Sequence, residues 1–138
     1  MDERDLIYDW NNIEPEAPRD PASHPHPVWF DDETLRDGLQ SPSARNPTIE
    51  QKIELLDLME NLGIQKVDLG LPGAGPFHID HIDSMLGHIN DNGYKIRPGC
   101  AVRTVVSDIE PLIELQSKHE MKIQASAFLG TSPIRQYT

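Results

Sequence analysis

From residue 28 onward the chain repeats one unit, a short run of β-like apolar residues followed by a longer stretch with helical periodicity. The runs are VWFDDE (Val28 to Glu33), KVDLGL (Lys66 to Leu71), a third from about Ile96 to Val102, and KIQASAF (Lys122 to Phe128). Starts near 28, 66, 96 and 122 give a repeat of roughly 30 residues, the size of one βαβ step in a parallel sheet. The intervening segments carry matching signals. Thr48 and Gln51 form a capping box after Pro47, and the stripe Ile49, Ile53, Leu56, Met59 ends near Gly63. A Pro-Gly loop, Pro72 to Pro76, leads to a second stripe of Ile82, Met85, Leu86 and Ile89, which stops at Gly93. A third helix is predicted to open on Ser107 and Glu110 as a capping box, to tolerate Pro111 in its first turn, and to present Ile109, Leu112 and Ile113 on one face. The chain then runs through GTSPIRQYT and stops where a fourth helix should begin. Periodicity alone leaves two α/β architectures open: a doubly wound open sheet, nearly complete at 138 residues, or the first half of a (β/α)8 barrel, which needs about 250.

Charge and composition narrow the partners. Residues 1–27 hold seven acids against two arginines, five prolines and no apolar periodicity, and are predicted to be a flexible acidic tail. Residues 28–138 carry 16 acidic and 10 basic side chains, without the basic stripe that nucleic-acid binding needs. A single cysteine, Cys100, excludes an internal disulfide framework and fits a reducing compartment. No apolar run approaches the ~20 residues of a membrane span, and the acidic N-terminus lacks the features of a signal peptide. A cytoplasmic protein with neither nucleic-acid nor membrane partners is expected.

Polar or glycine residues recur where each predicted strand ends, the ligand-binding edge in either architecture. They are Arg36 and Asp37 after the first strand, Asp68 and Gly70 at the second, Arg103 after the third, and Thr131 with Ser132 after the fourth. Within DETLRDGLQ (Asp32 to Gln40), Arg36 offers a planar cationic fork for an oxyanion, Asp37 a hard oxygen ligand for a divalent cation, and Gly38 the freedom for a sharp turn. Taken alone, Asp37-Gly38 is more often an ordinary turn than a metal site.

DETLRDGLQ resembles the D-T-T-L-R-D-G-x-Q signature of the metallolyase-type barrels, the family of 2-isopropylmalate, homocitrate and citramalate synthases and hydroxymethylglutaryl-CoA lyase. Three further segments are similar in order and spacing. VDLGLP (Val67 to Pro72) matches the second-strand E-V-G-F-P, AVRTVVSDIE the third-strand L-A-R-x-x-x-x-D-I, and AFLGTSPI the fourth-strand F-I-A-T-S-P. The resemblance implies a TIM (β/α)8 barrel of which residues 28–138 form the N-terminal portion, about four βα units. It also implies the reaction, a metal-assisted Claisen-type condensation of acetyl-CoA with a 2-oxo acid in amino-acid biosynthesis of the leucine type, and a homodimer. By the same resemblance Asp37 would ligate a divalent metal (Mg, Mn or Zn) and Arg36 would stabilise charge on the reacting carbonyl or enolate. Gln40 and Asp68 would help to position substrate, Thr131 and Ser132 would hydrogen-bond its carboxylate, and Arg103 would support the same face by ion pairing.

The sequence departs from the pattern at several places. Glu33 stands where the family has threonine, Leu39 where the synthases often have glutamate, Asp68 where the second strand carries glutamate, and Ser126 where many synthases have histidine. The family's H-x-H metal pair, near the seventh strand, has no counterpart here. His24 and His26 flank a proline in the predicted tail, His78 and His81 read as the solvated face of a helix, and His88 and His119 read as exposed. Cys100 reads as a small core residue, and PGAGP as either close backbone packing or a phosphate nest. Homocitrate or citramalate synthesis and lyase chemistry stay open within the family. From other classes, a non-catalytic half-barrel acting by self-association or partner binding, and a small doubly wound domain that binds a phosphorylated ligand on PGAGP, stay open as well.

Overall fold

A computed structural model of the chain describes residues 2–7, 28–42 and 44–137. It divides into two compact units, Trp29–Phe128 and the two chain ends, Met1–Val28 with Leu129–Thr138. Most of the predicted acidic tail, residues 8–27, lies outside the described residues.

The larger unit is a four-stranded parallel sheet in the order β1-β2-β3-β4, built from β1 (Asp31–Asp32), β2 (Lys66–Asp68), β3 (Arg97–Arg103) and β4 (Gln124–Phe128). Sequential neighbours, all parallel and joined by helices α1 (Ile49–Leu62), α2 (Pro76–Asn92) and α3 (Val106–His119), are the first four strands of a (β/α)8 barrel rather than a doubly wound sheet, whose strand order would reverse. The register pairs Lys66 with both Asp31 and Arg97, and Gly99 with Gln124.

Side-chain alternation along the strands separates core from site. Val67, Leu69, Cys100 and Val102 join the apolar core with Leu56 and Met59 of α1, Ile82, Met85, Leu86 and Ile89 of α2, and Leu112 and Leu115 of α3. Asp68, Ala101 and Ser126, of the opposite parity, line a cavity instead. Burial pushes the Cys100 thiol far above its ordinary range, so this side chain packs as a small hydrophobe, as its sequence context predicts.

The predicted helix ends form at α1 and α2. Thr48 Oγ1 accepts from the Gln51 amide at 3.3 Å while the Gln51 side chain accepts from the Thr48 amide at 3.0 Å, completing the capping box. Gly63 (φ 77°) and Gly93 (φ 61°) close the two helices in the left-handed conformation that glycine adopts without steric cost.

Three expectations are corrected. The first strand is two residues long, not six, because Asp32 Oδ1 accepts from the Thr34 amide at 2.8 Å and Glu33 O from the Arg36 and Gly38 amides, which curls the chain out of the sheet. No Ser107/Glu110 capping box forms. The helix starts at Val106 with Val105 as an uncapped N-cap, since Asp108 turns its carboxylate back to Arg103 and holds the first turn from there. Pro111 therefore sits two residues deeper than predicted, inside α3. Finally, a short helix α4 does begin within the chain, at Pro133–Tyr137.

In the smaller unit, α4 lies against a single 3-10 turn at Glu3–Leu6. Thr131 and Ser132 open α4, and their backbone carbonyls accept from the Gln136 side chain at 2.6 Å and the Gln136 amide at 3.0 Å. Among the described residues no helix is long and apolar enough to cross a membrane.

Candidate active site

At the carboxyl ends of the strands a cavity of about 380 Å³ is walled by the turn after β1 (Glu33, Arg36, Gln40), by Asp68 and Leu71 of the second segment, and by Ala101, Ser126 and Phe128. The Asx turn at Asp32 and the 3-10 turn Gly38–Gln40 fold the DETLRDGLQ segment over this edge, which brings Arg36 above the sheet. Arg36 and Asp68, 32 positions apart in sequence, meet there with Arg36 Nε 3.7 Å from Asp68 Oδ2.

That separation is too long for a hydrogen bond. Both atoms are buried, and neither has a hydrogen-bond partner among the described residues. Asp68 itself is only 3% exposed, with Oδ1 accepting from the Gly70 amide at 3.0 Å and the Ala101 amide at 3.3 Å. Burial raises the pKa of its carboxyl and the nearby Glu33 adds to the rise, against the opposing pull of those amides and of Arg36. For Arg36, burial disfavours the charge, yet its hydrogen bond to Glu33 and the fields of Glu33, Asp68 and Asp37 more than offset this, and its pKa is raised. A guanidinium held among three carboxylates, lining the cavity and with its Nε–H unpartnered, has the chemistry to receive an oxyanion.

Asp37 accepts from Arg36 Nη1 at 3.2 Å and is otherwise open, its side chain 65% exposed. One oxygen engaged by a cation and one turned to solvent make it a single hard donor for a divalent metal. Among the described residues no group of three or more histidine, cysteine, aspartate or glutamate side chains is placed to complete a metal site.

Of the residues that the sequence singles out, Arg36, Asp37, Gln40 and Asp68 are thus brought to one edge. Arg103 is also at a strand end, but its guanidinium is paired with Asp108. Nε donates to Asp108 Oδ2 at 2.8 Å and Nη2 to Oδ1 at 2.6 Å, and the Arg103 amide adds a third bond at 2.9 Å. The hydrogen bonds from Arg103 hold the Asp108 carboxyl well below its usual value. Gly73 closes over this pair. A Cβ there would lie 2.1 Å from Asp108 Oδ1, so no other residue fits without displacing the acid. Thr131 and Ser132 belong to the other unit.

Sequence reading missed several participants. Asp108 was visible as the aspartate of R-x4-D in AVRTVVSDIE, although as the partner of Arg103 rather than as a helix cap residue. Glu33, noted only as a departure from the family, is the closest partner of Arg36. Lys52 went unnoticed, yet it stands four residues before Leu56 and seven before Met59, a charge on the apolar stripe of α1, and is 4% exposed. The histidines differ from expectation too. His78 and His81 line a second cavity rather than a solvated face, because the loop at Pro72–Ala74 and α1 cover that side of α2. His88 and His119 are partly buried and paired, with Asp57 at 2.7 Å and Asp83 at 2.8 Å.

Comparison with known proteins fits this geometry. The family model described as HMGL-like matches residues 27–136. The chain is 36% identical over 103 residues to the 2-isopropylmalate synthase of Campylobacter hominis, covering 75% of this chain and 19% of that protein. It is 33% identical over 111 residues to the 2-isopropylmalate synthase of Streptococcus gallolyticus (80% and 20%), and 28% identical over 114 residues to that of Sediminispirochaeta smaragdinae (82% and 21%). The chain therefore spans about a fifth of the length of the curated relatives it matches. With a family model covering nearly all of the parallel sheet and the edge that gathers Arg36, Asp37 and Asp68, the chain belongs to the HMGL-like family, as the N-terminal part of its catalytic domain.

Proposed function

We propose that the chain supplies the first portion of the active site of a 2-isopropylmalate synthase-type enzyme, which condenses acetyl-CoA with a 2-oxo acid. The observation that carries this reading is the buried Arg36–Asp68 pair, whose facing Nε and Oδ2 atoms lack hydrogen-bond partners among the described residues. A buried donor and acceptor left unsatisfied cost stability, and such a cost is expected where a substrate completes the set.

In the proposed reaction the methyl carbon of acetyl-CoA loses a proton and attacks the ketone carbon of the 2-oxo acid. A new C–C bond forms, the ketone oxygen takes the electron pair, and water then cleaves the thioester to release CoA. Arg36 faces the oxygen on which charge develops and stabilises it without itself changing protonation. Its contacts to Glu33, Asp37 and Asp68 fix the guanidinium before substrate arrives, so little reorganisation accompanies the step. Asp68 holds Arg36 by charge and leaves Oδ2 for a substrate hydroxyl or water, while Gln40 and Ser126 offer polar contacts from opposite walls. Thr131 and Ser132 are assigned to the substrate carboxylate by the resemblance of GTSPI to the family's fourth-strand segment. Arg103 acts at a distance, by fixing the end of β3 through Asp108. A divalent cation held in part by Asp37 would supply, when bound, polarisation of the ketone.

The test is Asp37→Ala in the full-length protein, with release of CoA from acetyl-CoA plus a branched 2-oxo acid followed by a thiol reagent. Metal-dependent release is expected to disappear. Full activity in the variant would refute the assignment.

A further inference from the structure

A second cavity, of about 270 Å³, lies between α1 and the amino-terminal turn of α2, and among the residues that line it there is no aspartate or glutamate. Its wall includes Lys52, which is 96% buried and whose ammonium has no hydrogen bond or ion pair to any described residue; the Phe77 ring centroid lies 6.0 Å from that ammonium, at the outer limit of a cation–π contact. His81 lines the same cavity with a buried Nδ1 that also lacks a partner. The third contributor is the start of the 17-residue helix α2, beside Ala74 and His78 of the cavity wall, where Gly75 provides no side-chain cap and the first turn contains no acid, although the His78 and Ile79 amides already donate to Gly75 O at 3.0 and 3.2 Å.

Each feature is costly on its own. A buried ammonium without a counter-charge is strongly disfavoured or adjusts its ionisation, and an orphaned ring nitrogen adds to that cost. Consistently, burial lowers the pKa of Lys52. It also lowers that of His81, helped by Lys52 and His78 and opposed by Asp80 and Glu50. Together the three features form an incomplete coordination shell that one anion would satisfy. Groups drawn from α1 and from the start of α2 line one cavity free of carboxylates, a setting that suits an anion with several acceptor oxygens such as phosphate. Arg36, on the rim, is already engaged by Glu33 and Asp37.

We propose that the cavity bounded by Lys52, His81 and the amino-terminal turn of α2 is a binding seat for a phosphate group, adjoining the cavity at Arg36 and Asp68, with which it shares Arg36, Gln40 and Leu71. Phosphate held there would pair with Lys52 and fasten α1 to the PGAGP loop that opens α2.

The experiment is thermal unfolding of the full-length protein in inorganic phosphate against chloride at matched pH and ionic strength. A phosphate-specific, saturable rise in Tm is expected, accompanied by a shift of the His81 ring resonances but not of those of His88, which is paired with Asp57 at the far end of α2. Lys52→Met should fold, because it replaces an unpaired buried charge by an apolar chain of similar length, and it should lower phosphate affinity roughly tenfold or more, the worth of one charge-assisted hydrogen bond. Lys52→Arg should retain most of the response. Glycerol phosphate in parallel separates the sources: an equal response assigns the seat to a phosphorylated metabolite, a response to inorganic phosphate alone assigns it to the free ion. Absence of a phosphate-specific rise, or an unchanged response in Lys52→Met, would overturn the proposal. If Lys52→Met does not fold, His81→Phe reads the same contact, and undiminished affinity in that variant overturns it equally.

Discussion

The two edges of the sheet are made of similar residues and are finished differently. At the amino edge the polar groups have partners. Glu60 accepts from the Lys95 and Ile96 amides at 3.0 and 2.9 Å, the Gln65 side chain accepts from the Phe30 amide at 2.7 Å, Lys66 pairs with Asp31, and the Arg97 guanidinium stacks 4.2 Å over Trp29. At the carboxyl side lie Arg36 Nε, Asp68 Oδ2 and His81 Nδ1, the buried side-chain atoms that lack partners among the described residues. One edge spends its hydrogen bonds on holding strands to helices; the other withholds some of them. In a parallel βα architecture this is the division between the face that stabilises and the face that reacts.

Two arginines sharpen the contrast, and the largest predicted effect comes from the open one. Arg36→Ala in the full-length protein should lower kcat roughly 10²–10³-fold, the usual effect of removing one oxyanion donor, with a smaller change in KM. A loss confined to KM would make Arg36 a binding residue and weaken the contrast.

Next comes the closed pair. Gly73→Ala drives a Cβ into Asp108 and should destabilise the fold by about 1–3 kcal/mol, read as a lower denaturant midpoint at unchanged slope. Unaltered stability would mean that the Arg103–Asp108 pair can move freely.

The two aspartates should respond to pH in opposite directions. The pKa of Asp68 is raised in the fold, so its ionisation opposes folding, and stability falls as pH rises from the ordinary aspartate value through its raised value. That of Asp108 is lowered, so its contribution is present above the ordinary value and is lost as pH falls through the lower one. Asp68→Asn should therefore remove a decline in stability with rising pH, and Asp108→Asn a decline with falling pH. Stability profiles from pH 3 to 7 that change in the same sense would break the distinction.

The smallest effect belongs to the amino side, where α3 ends on Glu120 at φ 50°, the one left-handed residue other than glycine among those described. Glu120→Gly relieves that conformation and should gain up to about 1 kcal/mol by chemical denaturation, with no change in activity. A loss of stability would show that Glu120 contributes more than its backbone.

Much of this was legible in the chain. The roughly 30-residue alternation specified parallel order, because short apolar runs separated by amphipathic helices of this length have few other ways to pack. Glycine closure of α1 and α2 and the Thr48 box are local signals and were read correctly, as was burial of Cys100. What escaped were choices decided over distance. Asp108 lies in a plausible cap context, but the nearby guanidinium of Arg103 outcompetes the helix for its carboxylate. Lys52 looks like any helix lysine until its place on the stripe is counted, and Nδ1 of His81 becomes orphaned only in the folded chain.

Gly73 has a consequence for how such a chain can vary. Its missing side chain is the space that Asp108 occupies, and Asp108 in turn holds Arg103, so a loop and the distant strand end and helix start that follow it in sequence form a single unit of substitution. A larger residue at position 73 would require a shorter or neutral one at 108 and a new partner for 103 in the same step. Recombining this part of the barrel between relatives should succeed when the cut leaves residues 73–108 intact and fail when it falls between them.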